Sequence, residues 1–235
     1  MKRTWIGIAL LVSFLLGACS ADPTASMPEQ TTTGMTKATT VDAVSSATLS
    51  RYRENEIQDY EGVRVDPAIG PSDNSISGVQ RVDIRTYRLA VDGLVSKPLE
   101  LTYDDVLKRT PVERLITLYC VTGWQATMLW RGVQLSEILD LATVNPEANT
   151  VIFHCVDGYT TSLPLAAIID NKLIMAYQAN GLPIPAEMGY PFIIVAEDKL
   201  GYKWARWVTR IELSADTNYE GYWESRGFDN EADID

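Results

Sequence analysis

Histidine and cysteine are scarce in this chain, with one histidine and three cysteines among 235 residues. So few donors leave too little for an iron–sulfur cluster, no C-x-x-C pair for a zinc site, and no C-x-x-C-H segment to attach haem covalently. A glycine-rich dinucleotide fingerprint, a P-loop, an internal repeat and the strand–helix alternation of a doubly wound sheet are also missing. Cations are outnumbered, 20 Lys and Arg against 31 Asp and Glu, for a net charge of −11. That balance speaks against nucleic acid and anionic lipid surfaces as partners, and any anionic ligand needs a local basic cluster.

What is present begins with Lys2 and Arg3, followed by an apolar stretch over residues 5–16. It is short for a bilayer span but suits the apolar region of an export signal. Leu16, Gly17, Ala18 and Cys19 have the pattern of a bacterial lipobox, so residues 1–18 are expected to be cleaved and Cys19 to carry a lipid. The expected location is the extracytoplasmic side of a bacterial cell membrane. Residues 19–56 are read as the lipidated cysteine and a flexible polar tether, because their first thirty or so positions are rich in Thr, Ser, Ala, Pro and Met and have no apolar period. A tether of roughly 30 residues has an r.m.s. span of about 30 Å.

Residues 57–235 fit one globular domain with a sizeable core. Strands are expected over residues 84–91, 114–119, 151–155, 172–178, 192–196 and 204–213, from their β-branched and aromatic content and the turn residues that close them. Helices are expected over 103–108, capped by Thr102 with Asp105 reaching back, over 134–141, and over 165–169 behind Pro164. The fold class is α+β, a mostly mixed β-sheet with short helices.

The chemistry turns on Cys120 in the run Leu118, Tyr119, Cys120, Val121, Thr122, Gly123, Trp124. Three roles stay open on the residues alone. In an exported protein Cys120 and Cys155 are candidates for a disulfide worth roughly 4 kcal/mol in the chain-entropy model. Cys120 is also a candidate nucleophile with His154 as base and Asp157 as orienting acid, although a lone histidine in a strand is more often a half-buried strand residue. A metal-ligand role is the third.

The order of short motifs adds to this. After Cys120 come Trp130, Arg131, Gly132, Val133; Asp157, Gly158, Tyr159, Thr160, Thr161; Met175, Ala176, Tyr177 with Asn180 and Gly181; Gly189, Tyr190, Pro191; and Gly201, Tyr202, Lys203, Trp204, Ala205, Arg206, Trp207. This succession resembles the molybdopterin-binding domain of the sulfite oxidase family, in the short, standalone bacterial form.

The resemblance implies a Mo-molybdopterin cofactor with Cys120 as the thiolate ligand to molybdenum, a soft donor that leaves positions open for oxygen-atom transfer. It implies that Thr122 and Trp124 flank the metal. Lys203, Trp204, Ala205 and Arg206 would form the phosphate-binding segment through two cations and backbone amides. Cys155, with Asn74, Ser77 and Gly78, would make further pterin contacts. Met188 stands at a cofactor position where much of the family has His or Asn, and Ile193 where it has Arg. No Arg-rich patch follows Cys120, which lowers the case for sulfite. The implied activity is oxygen-atom transfer on a small substrate, a sulfoxide or N-oxide. Electrons would pass to or from a separate haem or quinone-linked membrane partner, since this chain holds no second redox centre. Loaded members leave the cytoplasm folded under twin arginines, whereas this signal carries only the Lys2–Arg3 pair; a cofactor-free binding lipoprotein with a Cys120–Cys155 disulfide is the alternative.

Overall fold

The computed structural model describes residues 46–70 and 75–234. The export signal, Cys19, most of the expected tether and Asn74 lie outside those residues.

The tether ends sooner than its composition suggests. Ser46–Asn55 forms helix α1, a segment free of Gly and Pro, and Tyr52 on it packs against the core and donates its hydroxyl to Pro183 O at 3.0 Å. Glu56, expected in the tether, is buried, and its Oε2 accepts from Ala68 N at 2.8 Å and Asn180 Nδ2 at 3.3 Å. These contacts give the helix a docking face that its weak amphipathic pattern did not reveal.

A small hairpin follows, β1 (Asp59–Tyr60) with β2 (Val63–Arg64). The body consists of two sheets. One contains β3 (Leu89–Gly93), β4 (Leu99–Leu101), β7 (Thr150–Cys155), β8 (Thr160–Pro164) and β12 (Val208–Ser214), in the order β4-β3-β12-β7-β8. The other contains β5 (Pro111–Tyr119), β6 (Gln125–Gln134), β9 (Ile174–Ala179) and β10 (Leu182–Pro183), in the order β10-β9-β6-β5, with β11 (Ile193–Val195) also pairing β9. Only β3 and β12 pair in parallel, as their distant sequence positions permit; the other named ladders are antiparallel. Short helices α2 (Tyr103–Leu107), α3 (Leu135–Ala142) and α4 (Leu165–Asp170) lie between strands. The α+β expectation holds.

At α2 the capping box forms as the sequence indicates: Asp105 N donates to Thr102 Oγ1, and Thr102 N donates to Asp105 Oδ2, both at 3.1 Å. Lys108 and these Thr102 bonds hold the Asp105 carboxyl below its ordinary range. Pro164 differs slightly, standing just ahead of α4 rather than inside its first turn.

Two differences bear on the site. β6 was not expected, because Gln125–Gln134 mixes polar and apolar residues; it pairs along the whole of β5 and leaves Cys120–Trp124 as the connecting loop. The strand expected over residues 204–213 begins only at Val208. Gly201–Lys203 coils into a 3-10 turn, and Trp207 takes φ 52° before the chain enters β12. Lys203 and Arg206 thus leave a turn, not a pleat, so strand alternation does not govern where they point.

Candidate active site

The site is assembled from loops at the ends of both sheets. The β5–β6 loop is tight: Cys120 N donates to Trp124 O and Gly123 N to Cys120 O, both at 2.9 Å. Gly123 has φ +89° with open space around its Cβ direction, so backbone conformation, rather than packing, favours glycine there. Cys120 Sγ lies 3.2 Å from Thr122 Oγ1, and the thiol is part-exposed while Thr122 is exposed.

Two contacts tie this loop to the rest of the site. Tyr119 bridges Leu200, and a Cβ on Gly201 would stand 3.2 Å from Tyr119 O, so the segment entering Lys203 packs against the start of the cysteine loop. On the other side a Cβ on Gly70 would lie 3.7 Å from Met188 Cε and 4.0 Å from Trp124 Cη2, which puts the loop's tryptophan and Met188 around one glycine.

Arg206 is the buried cation here. Its Nη1 donates to Glu187 O at 3.1 Å, and a Cβ on Gly189 would stand 2.7 Å from Arg206 Cβ, so only glycine allows the approach. Arg206 borders a small indentation that Asp157, Tyr159, Trp204 and Trp207 also line. Cys155 lies beside it at the end of β7, its thiol pushed upward by burial and by the Asp157 charge, with the Arg206 backbone amide opposing. Tyr159 closes the indentation; burial, then Glu224, raises its phenol, and its hydroxyl donates to Tyr202 O.

Asp157 does more than sequence reasoning assigned to it. Its Oδ1 accepts from Tyr159 N at 3.0 Å and its Oδ2 from Ile76 N at 3.3 Å, while Ser77 Oγ donates to Asp157 O at 3.3 Å. One side chain therefore folds the β7–β8 turn and holds the segment containing Ser77 and Gly78 against it. The Asp-Gly pair signalled the turn; no local pattern signalled the partner some eighty residues away. Gly70, Glu187 and Trp207 were missed for the same reason.

Three expectations are corrected. Lys203 does not reach out as a phosphate ligand: it is fully buried, and its Nζ donates to Glu224 Oε1 at 2.7 Å, Asn230 Oδ1 at 2.9 Å and Ser162 O at 3.1 Å. An ammonium has three donors, and all are occupied. The Trp204 and Ala205 amides are likewise held inside the turn, donating to Gly201 O at 3.2 Å and Lys203 O at 3.1 Å. Nor are Cys120 and Cys155 joined; both are free thiols, one in a loop and one buried at the end of β7.

The hydrolase triad also fails on geometry. His154 points to the face of its sheet opposite Cys155, where its Nε2 lies 2.8 Å from Glu212 Oε2 and 3.1 Å from Arg210 Nη1, and Arg210 in turn grips Asp92. His154→Ala is expected to leave turnover within about twofold and to cost under about 1 kcal/mol, as for a part-exposed ion-pair network; steady-state kinetics and thermal melting check this.

Cys120 and Trp124 on the β5–β6 loop, Met188 on its turn, and Cys155 with Arg206 beside the indentation thus come from neighbouring segments and form the candidate site. Residues 76–223 match the family model described as the oxidoreductase molybdopterin binding domain. The chain belongs to that family and is an oxidoreductase whose cofactor is Mo-molybdopterin.

Its relatives include an uncharacterized oxidoreductase, YuiH, of Bacillus subtilis, 35% identical over 147 residues that cover 62% of this chain and 74% of that one. A putative protein-methionine-sulfoxide reductase subunit, YedZ1, of Azospira oryzae is 32% identical, covering 64% of this chain and 57% of its own length. Mitochondrial sulfite oxidase of Mus musculus is 29% identical, over 64% of this chain but only 33% of that protein. The fold matches the crystal structure of the sulfane dehydrogenase SoxCD from Paracoccus pantotrophus with a TM-score of 0.58 at 23% identity, covering 75% of this chain and 56% of that one.

The residues present fit the cofactor. Cys120 offers an uncommitted soft donor, and Arg206 supplies a buried guanidinium suited to a phosphate. Met188 and Ile193 are both buried among apolar side chains.

Proposed function

We propose that the chain is a membrane-anchored oxygen-atom-transfer enzyme acting on a small neutral oxide, a sulfoxide ahead of an N-oxide. The observation that carries this is the setting of Cys120, a part-exposed thiol in a loop whose other members, Val121, Thr122, Gly123 and Trp124, bring no cation. An oxyanion such as sulfite needs positive charge at the reacting centre, whereas a neutral S-oxide does not. The Azospira relative, a putative protein-methionine-sulfoxide reductase subunit, agrees with this preference.

When bound, molybdopterin supplies a two-electron centre able to gain or lose an oxygen atom. Cys120 would be the thiolate that anchors it, with the Thr122 hydroxyl 3.2 Å from that sulfur to orient it. Arg206 takes the phosphate, held in place by Glu187 O. Asp157 keeps the Ser77 segment closed over the pterin side, and Trp124 with Met188 shields the cavity from water. Electrons are exchanged with a separate haem or quinone-linked membrane partner, and a lipid on Cys19 keeps the domain near it.

Protein isolated from the membrane fraction of its own host is expected to contain about one molybdenum and one pterin per chain, by elemental analysis and fluorescence of the oxidised pterin, and to reduce dimethyl sulfoxide with a reduced viologen dye. Protein free of both metal and pterin sinks the proposal.

A further inference from the structure

Between the 3-10 turn Ala186–Met188 and α1 lies an open cleft. Glu187 forms its floor and Arg51 and Arg81 its walls. Glu187 is only 7% exposed, yet its carboxylate accepts no hydrogen bond from the described residues. Its one ion pair, to Arg81 Nη2, is 3.8 Å long, beyond hydrogen-bond reach. The carboxylate is largely buried yet its oxygens still open onto the cleft, so a donor arriving there can satisfy it. The Arg81 side chain is 54% exposed, and the Arg51 guanidinium makes no ion pair among the described residues. Tyr52 on the same wall is already engaged through its hydroxyl, which donates to Pro183 O.

We propose that this cleft binds a small zwitterion of the α-amino-acid type, its ammonium on Glu187 and its carboxylate on Arg81 and Arg51. A simple anion would meet the buried Glu187 charge, and a simple cation the two arginines; a ligand carrying both charges satisfies all three groups. Glu187 is also the residue whose backbone carbonyl holds Arg206, and its neighbour Met188 shares the surroundings of Gly70 with Trp124, so the cleft lies near Arg206 and the tryptophan of the Cys120 loop. An amino acid anchored here by its charged end would extend an oxidised side chain toward that loop. This last step, the assignment of the ligand as an S-oxide substrate, rests on the function proposed above; the zwitterion site does not.

The test is calorimetric titration of the full chain, purified from its host, with L-methionine sulfoxide, with the same compound blocked as an N-acetyl methyl ester, and with dimethyl sulfoxide. The expected result is saturable binding of the zwitterion alone, weakened at least about tenfold by Arg81→Gln and by Glu187→Gln, as loss of a charge-assisted bond implies. Arg81→Gln, at an exposed position, is expected to leave dimethyl sulfoxide reduction unchanged. Near-ultraviolet circular dichroism shows whether Glu187→Gln keeps its fold, and Arg81→Gln decides the matter where it does not. Equal binding of the blocked compound, insensitivity to Arg81→Gln, or no binding of the zwitterion overturns the site. Zwitterion binding by a chain lacking molybdenum and pterin leaves the site standing and removes the proposed reaction.

Discussion

Cys120→Ser is expected to abolish turnover, with a fall of at least about 100-fold, since changes even to groups that only support a metal ligand cost 10–100-fold. A serine hydroxyl is a harder donor than a thiolate and stays protonated at neutral pH, so it neither matches the dithiolene sulfurs nor replaces the negative charge. The fold has little reason to respond. The loop is held by its backbone bonds, Cys120 N to Trp124 O and Gly123 N to Cys120 O, and among the described residues the thiol's hydrogen-bond partner is Thr122 Oγ1. Thermal melting is expected to shift by no more than about 2–4 °C, the equivalent of about 1 kcal/mol in a domain of this size. Molybdenum content, turnover and melting measured on one preparation separate the roles. Retained metal and activity would remove Cys120 as the ligand, whereas a collapsed melt would make it a structural residue.

Thr122→Ala probes the next layer of the same argument. The hydroxyl, 3.2 Å from the sulfur, makes no other hydrogen bond among the described residues, and Thr122 is exposed, so its removal acts on the thiolate and hardly on stability.

How far the sequence spoke depends on the range of the interaction. Local signals were legible: the Thr102–Asp105 capping box, strand β7, helix α3 and the turn at Asp157 and Gly158 all depend on neighbours within a few positions. The order of motifs also identified the family. What stayed hidden depends on residues far apart in sequence. Lys203 reads as a free cation until Glu224 and Asn230 arrive from the C-terminal segment. Asp157 reads as a turn residue until Ile76 docks on it. Strand β6 is found through its partner β5 rather than its own pattern. Glycines 70, 189 and 201 matter through what passes above them, which no local rule records.

The largest stability effect is expected at Glu224. Its Oε1 receives Lys203 Nζ at 2.7 Å and the Thr161 hydroxyl at 2.6 Å, and both ionised side chains are almost wholly buried. Glu224→Ala leaves an ammonium inside the protein without its counter-charge, a change that costs roughly 3–5 kcal/mol. At about 2–4 °C per kcal/mol, melting falls by roughly 6–20 °C. The sign of the pH effect follows from Lys203. Burial already lowers its pKa from the ordinary 10.5, with Glu224 opposing the shift, so loss of Glu224 lowers it further. Between that lowered value and 10.5 the unfolded chain binds the proton and the folded chain does not. Stability of the variant therefore rises with pH through that window, and its deficit against the parent is greatest on the acid side. Replacing both members, Lys203→Met with Glu224→Leu, removes the unpaired charge and is expected to recover most of the loss, because buried ion pairs are worth little net against apolar packing. Cofactor retention distinguishes the two substitutions from mere loosening. Lys203 ends the 3-10 turn that leads to Arg206, so the single variant, with its turn unmoored, is expected to release pterin on gel filtration, while the double variant keeps it. A single variant that melts like the parent would show that the lysine finds another acceptor, Asn230 Oδ1 and Ser162 O being the two within reach.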